Sequence, residues 1–544
     1  MPNRMKTGIP GLDDVFEGGL LYHNCVLVRG LPGTGKTTLG IQTIHNGALQ
    51  HGEPGIIVLF EQFRQQLLRD VAAYQWDLEA LEKQNRIAII FSRPDDILAS
   101  DKMSDSRLIN QISEITTEIG ARRILLDGFS NFLGMIQTDR NERDIFLKFI
   151  NSIKSLGLTP ILTAEGLEGG AASFEDYLSD CVIHLSNRAV VDPTFQTRWL
   201  EVLKTRGHGH VRGRHPYRIS QRGIEVFPHL PPQPHAEKGI GAGPDMASCN
   251  TGVNGLDEML GGGYTAGSST VVVGMPGTFK TTLGVQFLIA GADKGERGLY
   301  IGYNESPEFL VRSMRGKGLD LAPRIDGGQI VLWHYYPKQY YVEEMLLRLE
   351  KELAGGGLAR LVVDGVNELD RSVENPAMRE ELATMTAALL RRYGVTALFI
   401  QNLENFTPNA PLTGVRYADL LDGVIYLGAV EIESALRKVI SILKMRGGQY
   451  AGDLREIACG RNGLYVMDKF AGMSGILAGN AQGHYKKTVE EIFQPLNFVS
   501  DFIRLLGESE TTEAQRREIT SNLTTVVEGL TAKLKDYFGV ESSQ

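Results

Sequence analysis

Five segments of this chain recur in one order about 240 residues later, and that self-similarity restricts its fold more than any other feature. "TGIPGLDDVFEGGL" from Thr7 returns as "TGVNGLDEMLGGGY" from Thr251, an offset of 244. "GLPGTGKTTLG" (Gly30 to Gly40) returns as "GMPGTFKTTLG" (Gly274 to Gly284) at the same offset. "GIIVLFEQ" from Gly55 and "GLYIGYNES" from Gly298 lie 243 apart, "RRILLDG" and "ARLVVDG" 237, and "LKTRGHGH" and "LKMRGGQY" 240. A period this long is a whole domain and not a solenoid unit. At 544 residues the chain also exceeds what one hydrophobic core usually spans. The expected layout is a first domain over 1–228, a linker over 229–248, a second domain over 249–466 and a C-terminal extension over 467–544. The linker is read from its Pro, Gly and Ala content and its lack of apolar periodicity.

Inside each copy, short apolar runs alternate with longer mixed segments. "NCVLVRG", "GIIVLF", "RRILLDG", "LTPILTAE" and "DCVIHL" read as buried strands, and "KTTLGIQTIHNGALQHG" and "DSRLINQISEITTEIG" as amphipathic helices. This predicts an α/β fold, a mostly parallel sheet flanked by helices, built twice. The formal charge of -9 disfavours a dedicated nucleic-acid binder. "RGHGHVRGRHPYR" (Arg206 to Arg218) is the notable basic cluster, so a nucleic-acid motor is the remote reading. Four scattered cysteines without a CxxC pair suit a reducing compartment. No apolar run approaches the roughly 18 residues that span a bilayer, and the opening residues hold no apolar signal core. A cytoplasmic protein without membrane contact is expected.

The chemistry concentrates in the repeated segments. "GLPGTGKT" fits GxxxxGK[ST] between an apolar strand and a helix, the context a phosphate-binding loop requires. Gly33, Thr34 and Gly35 turn backbone N–H groups toward phosphate, Lys36 reaches the terminal phosphates, and Thr37 and Thr38 open the helix. Gly277, Thr278, Phe279, Lys280, Thr281 and Thr282 are the counterparts in the second copy. Asp127 and Asp364 end apolar strands, where a carboxylate can hold Mg²⁺ together with the Thr37 or Thr281 hydroxyl. The expected cofactors are ATP and Mg²⁺. Glu61 and Glu305 follow another strand and are the candidate catalytic carboxylates beside Lys36. Phe279 stands where the first copy has Gly35. It is expected to fit only with an αR or β-like backbone and its side chain turned away. Lys204 with Arg206, and Lys444 with Arg446, place two cations i, i+2 on one strand face, a spacing that can clamp a polyphosphate.

With two such domains in tandem the chain resembles the KaiC family within the RecA-like ATPases, from about Met1 to Val466. The resemblance implies tandem RecA-like P-loop NTPase domains, a double-ringed homohexamer with ATP bound between subunits, and slow hydrolysis in the first ring. It also implies that the second ring can phosphorylate residues near a neighbour's nucleotide. It assigns Lys204, Arg206, Lys444 and Arg446 to a neighbouring subunit's nucleotide, with His210 matching the family histidine and Tyr450 in its place in the second copy.

The chain departs from the family where the chemistry is done. The family's two adjacent glutamates are Glu61-Gln62 in the first copy and Asn304-Glu305 in the second. An amide orients water but takes up no proton, so hydrolysis is expected mainly in the first copy. The family's Ser-Thr acceptor pair falls on Ala418 and Asp419, which leaves Thr413 and Tyr417 as nearby hydroxyls for an autokinase. The extension places Ile519, Leu523, Val526, Leu530, Leu534 and Tyr537 on one helical stripe. With an earlier apolar-periodic segment after Pro495 it predicts a helix pair that packs on its own domain, pairs between subunits or recruits a protein partner.

Overall fold

The computed structural model describes residues 4–92, 106–129, 142–166, 173–189, 196–229, 247–336, 340–373, 376–403, 415–432, 435–470, 473–474, 482–483, 499, 503–504 and 512–538. By packing, the chain divides into two compact units. One comprises 1–242 with 335–356 and 368–389, and the other 243–334 with 357–367 and 390–544.

The first unit is built on a nine-stranded sheet. Its strands are β1 (Val26–Gly30), β2 (Gly55–Leu59), β3 (Ile87–Phe91), β4 (Arg123–Asp127), β5 (Thr159–Glu165), β6 (Cys181–Ala189), β7 (Gln196–Thr205), β8 (Arg214–Ser220) and β9 (Gly223–Val226). Their order is β9-β8-β7-β6-β1-β5-β4-β2-β3. Every pairing from β6 through to β3 is parallel, and β7, β8 and β9 continue the sheet antiparallel. Strands β2 and β4 are buried along their whole length, as continuous apolar runs in a parallel sheet must be. Helix α1 (Lys36–Gln50) crosses from β1 and packs against β2, β4 and β5. Helix α2 (Arg107–Ile119) buries Leu108, Ile109 and Ile112 and is capped by the Ser106 hydroxyl. A short helix, α3 (Phe174–Leu178), precedes β6.

The second unit repeats this sheet with β10 (Ser269–Gly274), β11 (Arg297–Gly302), β12 (Ile330–His334), β13 (Leu358–Asp364), β14 (Thr396–Asn402), β15 (Gly423–Ile432), β16 (Ala435–Met445), β17 (Arg455–Gly460) and β18 (Gly463–Lys469). The order β12-β11-β13-β14-β10-β15-β16-β17-β18 is the same topology. Helix α4 (Lys280–Ala292) takes the place of α1, and α5 (Pro307–Arg315) follows β11. The duplicated sequence has thus folded into two RecA-like α/β domains. In each, the chain first fills the sheet on one side of β1 or β10 and then crosses, after β5 or β14, to the other side. A crevice forms outside the carboxyl ends of the strands at such a switch point.

The extension contains α6 (Glu513–Phe538). On it Ile519, Leu523, Val526 and Leu530 are half-exposed among fully exposed neighbours, and none is buried. The stripe forms, and its four described residues are partly buried while those around them are exposed. The side chains of Leu534 and Tyr537, and most of the segment after Pro495, lie outside the described residues, as does Thr413. Among the described residues no helix is long and apolar enough to cross a membrane.

Candidate nucleotide sites

In both copies the glycine-rich loop folds the same way. Gly33 and Gly35 have φ of 79° and 93°, and Gly277 has φ 79°. The Lys36 ammonium donates to the carbonyls of Gly30 (2.9 Å) and Leu31 (3.1 Å). Lys280 donates to Gly274 (2.9 Å) and Met275 (2.7 Å). Thr34 and Thr278 close the turn through hydroxyl bonds to Leu31 and Met275, both 2.8 Å. The loop ends at the N-terminus of α1 or α4, where free N–H groups and the helix dipole favour an anion.

Phe279 takes φ 72° and ψ 13°, the left-handed region, where Gly35 has φ 93° and ψ 22°. The αR or β-like backbone expected for it is therefore wrong: the loop imposes its own dihedrals, and a bulky residue there costs roughly 1–2 kcal/mol. The packing explains how the cost is met. A Cβ on Gly35 would stand 2.7 Å from Cδ1 of Ile219. In the second copy the position of Ile219 is held by Cys459, one residue before the tight turn Gly460–Gly463 that matches Ser220–Gly223. Phe279 and Cys459 both pack against the second core, which contains Ile457 and Leu464. A large residue in the loop is matched by a smaller one at the strand position that crowds Gly35 in the first copy, and the phenyl ring packs against the core.

The strand-end aspartates sit at the loops. The Thr37 hydroxyl donates to Asp127 Oδ1 at 2.9 Å, and the Thr281 hydroxyl to Asp364 Oδ2 at 2.6 Å. A carboxylate and a hydroxyl are hard oxygen donors. Such a pair fits Mg²⁺, which takes one or two protein carboxylates and completes its shell with phosphate oxygens and water. The copies differ in what else holds the aspartate. In the first, Thr163 on β5 donates to Asp127 Oδ1 at 2.8 Å and accepts from the Gly128 N–H. In the second, Tyr300 on β11 donates to Asp364 Oδ2 at 2.8 Å. β5 lies on the β1 side of β4, whereas β11 lies on the far side of β13 from β10. These two tethers come from opposite sides of the aspartate strand. Burial raises the Asp127 carboxyl, opposed by the Thr163 and Thr37 hydroxyls. Burial pushes the Tyr300 phenol well above its ordinary value, and Asp364 adds to this.

The charges around the lysines also differ. Burial lowers Lys36, and the carboxylates of Glu165, Asp127 and Glu61 oppose that lowering. Burial brings Lys280 down to about 8, with Asp364 alone opposing it. Glu61 is exposed after β2, and its carboxyl carbon would lie 3.0 Å from a Cβ on Gly128, so it stands over the end of β4. Glu165, at the end of β5 opposite Gly30, was not singled out from the sequence. Its signal was present in "LTAEG", a carboxylate ending the strand next to the loop strand. Asn402 holds the matching register opposite Gly274. In the second copy Asn304 is exposed. Glu305 keeps a buried Oε2 without a hydrogen-bond partner, and burial, then Asp364, raises its carboxyl.

Lys204 and Arg206 lie away from their own loop. Lys204 is in register with Val182, at the start of β6, and Val182 pairs with Leu27 near the start of β1. The phosphate loop leaves the other end of β1. Lys204 donates to the carbonyls of Asp176 (3.0 Å), Tyr177 (3.0 Å) and Ser179 (2.7 Å), and Arg206 to Tyr177 (3.0 Å). Lys444 repeats the register opposite Val424 and donates to Ala418 and Leu421, with Arg446 on the Asp419 carbonyl. His210 is tied to the Thr205 hydroxyl at 3.1 Å, and Tyr450 is exposed. Tyr417 has φ 60° and packs on a core cluster.

The family model described as "ATPase: KaiC" matches residues 5–231 and again 249–470. The chain belongs to the KaiC family of ATPases. It is 30% identical over 483 residues to the circadian clock oscillator protein KaiC of Thermostichus vulcanus, covering 88% of this chain and 91% of that one. It is 29% identical over 485 residues to the protein of the same name from Synechococcus elongatus, covering 88% and 91%. For Acaryochloris marina the figures are 27% over 509 residues, 92% and 95%.

Proposed function

We propose that this KaiC-family chain is a homohexameric, double-ringed ATPase. ATP and Mg²⁺ bind between subunits, hydrolysis is slow and confined mainly to the first copy, and nucleotide state switches a timing, stress-response or signalling scaffold. The observation that carries this reading is the placement of Lys204 and Arg206 at the opposite end of the strands from the loop that follows β1. Two cations at the end of the strands away from their own loop are out of reach of the phosphates it would hold, which supports a role on a neighbouring copy. In that role Arg206 acts as an arginine finger in trans, and hydrolysis depends on assembly.

At the first site Lys36 and the N-terminus of α1 bind the phosphates. Thr37 and Asp127 would hold Mg²⁺, which neutralises phosphate charge. Glu61 stands over the strand end and accepts the proton of the attacking water. At the second site Asn304 takes the place of that base, so ATP is held with little turnover. Membership of a family of clock oscillator proteins supports the timing role. The acidic balance of the chain leaves nucleic acid outside the proposal.

The test is complementation in mixed assemblies. Lys36→Ala and Arg206→Ala chains are each expected to be nearly inactive alone. Mixed, they are expected to recover phosphate release, because some interfaces pair an intact loop with an intact finger. Full activity of a strictly monomeric protein would overturn the shared site. With γ-labelled ATP the label is expected in free phosphate. Label retained on the protein, and lost in Thr413→Ala or Tyr417→Phe, would establish the autokinase instead.

A further inference from the structure

The second copy carries a cation that the first does not. Lys317 follows α5, and its ammonium donates to the Thr282 hydroxyl at 2.9 Å. Thr282 is buried in the first turn of α4, two residues after Lys280. In the first copy the equivalent position, 243 residues earlier, is Tyr74, whose hydroxyl is 3.5 Å from that of Thr38. The two turns match in backbone as well: Gln75 and Gly318, the next residues, have φ of 61° and 77°. A phenol that stacks on Trp76 at 4.8 Å has been replaced by an ammonium.

A half-buried lysine directed at this place is electrostatically odd without a ligand. The start of α4 is the positive end of the helix dipole, and Lys280 is already there. Lys317 does not end on a carboxylate but on a hydroxyl of the phosphate loop's own helix. Glu305 lies near enough for Lys317 to lower it in part, yet the Glu305 Oε2 remains unpartnered. Thr282 follows Thr281 in the helix turn whose N–H groups face a nucleotide's phosphates when a phosphate loop holds one, so Lys317 reaches the edge of that turn, near Cys459 as well. The charge balance points the same way. The first site sets Lys36 against Glu61, Asp127 and Glu165, and the second sets Lys280 and Lys317 against Asp364 and Glu305.

We propose that Lys317 is a phosphate ligand of the second site, acting beside Thr282 on a bound nucleoside triphosphate, and that it makes this copy a nucleotide-retaining site. The inference rests on the reading that the second copy binds nucleotide. A more positive pocket binds a polyanion more tightly and, lacking a base at Asn304, does little to activate water. The first site, richer in carboxylates, holds the same anion less tightly and turns it over.

The experiment is competition binding against a fluorescent ATP analogue, with full-length chains in a Lys36→Ala background so that the second site dominates. Lys317→Ala is expected to weaken ATP roughly 10- to 100-fold, the range of one lost charge-assisted contact. Lys317→Arg is expected to restore most of it, and adenosine, which has no phosphate, is expected to compete equally against all three. Unchanged ATP affinity in Lys317→Ala, while Lys280→Ala abolishes binding, would overturn the role of Lys317 and leave the second site a nucleotide site. Equal weakening of adenosine would also overturn it, since Lys317 would then only shape the pocket. If Lys280→Ala changes nothing either, the underlying reading of the second copy fails.

Discussion

The two phosphate loops are nearly superimposable in sequence and in backbone, yet the sites around them are built for different tasks. Both lysines donate to the same two loop carbonyls, and both threonines reach a strand-end aspartate. Around that shared frame the first copy adds carboxylates, Glu61 and Glu165. The second replaces them with the amides Asn304 and Asn402 and adds Lys317. Charge, more than loop shape, therefore separates the copies. A duplicated domain can keep its binding frame and change its chemistry by exchanging the groups at a few strand ends.

That contrast can be broken first at the lysines. Lys36→Ala is expected to lower phosphate release on the order of 100-fold or more, because it removes the fixed charge on the transferring phosphoryl group. Lys280→Ala should change it less than about twofold. A larger effect from Lys280→Ala in a phosphate-release assay would reverse the assignment of the copies. The base comes next. Glu61→Gln keeps shape and hydrogen bonding but not proton uptake, and turnover should fall by about 10²-fold or more with ATP still bound.

The converse exchange sharpens the comparison. In a Lys36→Ala background, Asn304→Glu should raise the residual turnover by about tenfold, a fraction of what a positioned base supplies. No gain would mean that the tether on Asp364 or the extra cation limits the second site as well. The loop residue itself is a matter of stability. Phe279→Gly relieves about 1–2 kcal/mol of left-handed strain but loses a half-buried ring worth about 2 kcal/mol. The melting temperature should therefore move little. Cys459→Ile, which restores the first copy's crowding against a phenyl ring, should cost about 1–3 kcal/mol. Equal melting temperatures for Cys459→Ile and the parent would show that Phe279 does not face that strand. The smallest expected effect is at Tyr300. Tyr300→Phe removes one hydrogen bond from Asp364 and should shift the Mg²⁺ concentration needed for half-maximal nucleotide binding by about 2- to 10-fold. Thr163→Val at the first site is the matched comparison.

The C-terminal helix gives a second contrast between what periodicity promises and what packing delivers. Its apolar stripe is where the spacing placed it, but Ile519, Leu523, Val526 and Leu530 stay half-exposed. Spacing alone decides that a helix has an apolar side, and it does not say what lies against that side.

The duplication, the α/β class, both phosphate loops and the strand-end aspartates were all legible in the sequence. Each is local: apolar runs, glycine spacing and the residue closing a strand are written in consecutive positions. Tertiary structure alone decided the rest, because those features join residues far apart in the chain. Thr163 and Tyr300 reach the aspartates from different neighbouring strands, and Glu165 acts on the charge of Lys36 only because β5 lies beside β1. Lys317, after α5, meets Thr282 on α4, and Lys204 falls at the end of the strands away from the loop because β7 runs antiparallel to β6. Phe279 is the clearest case. Its bulky side chain predicts an ordinary backbone. The loop kept its left-handed turn regardless, because the facing strand offers Cys459 where the first copy has Ile219.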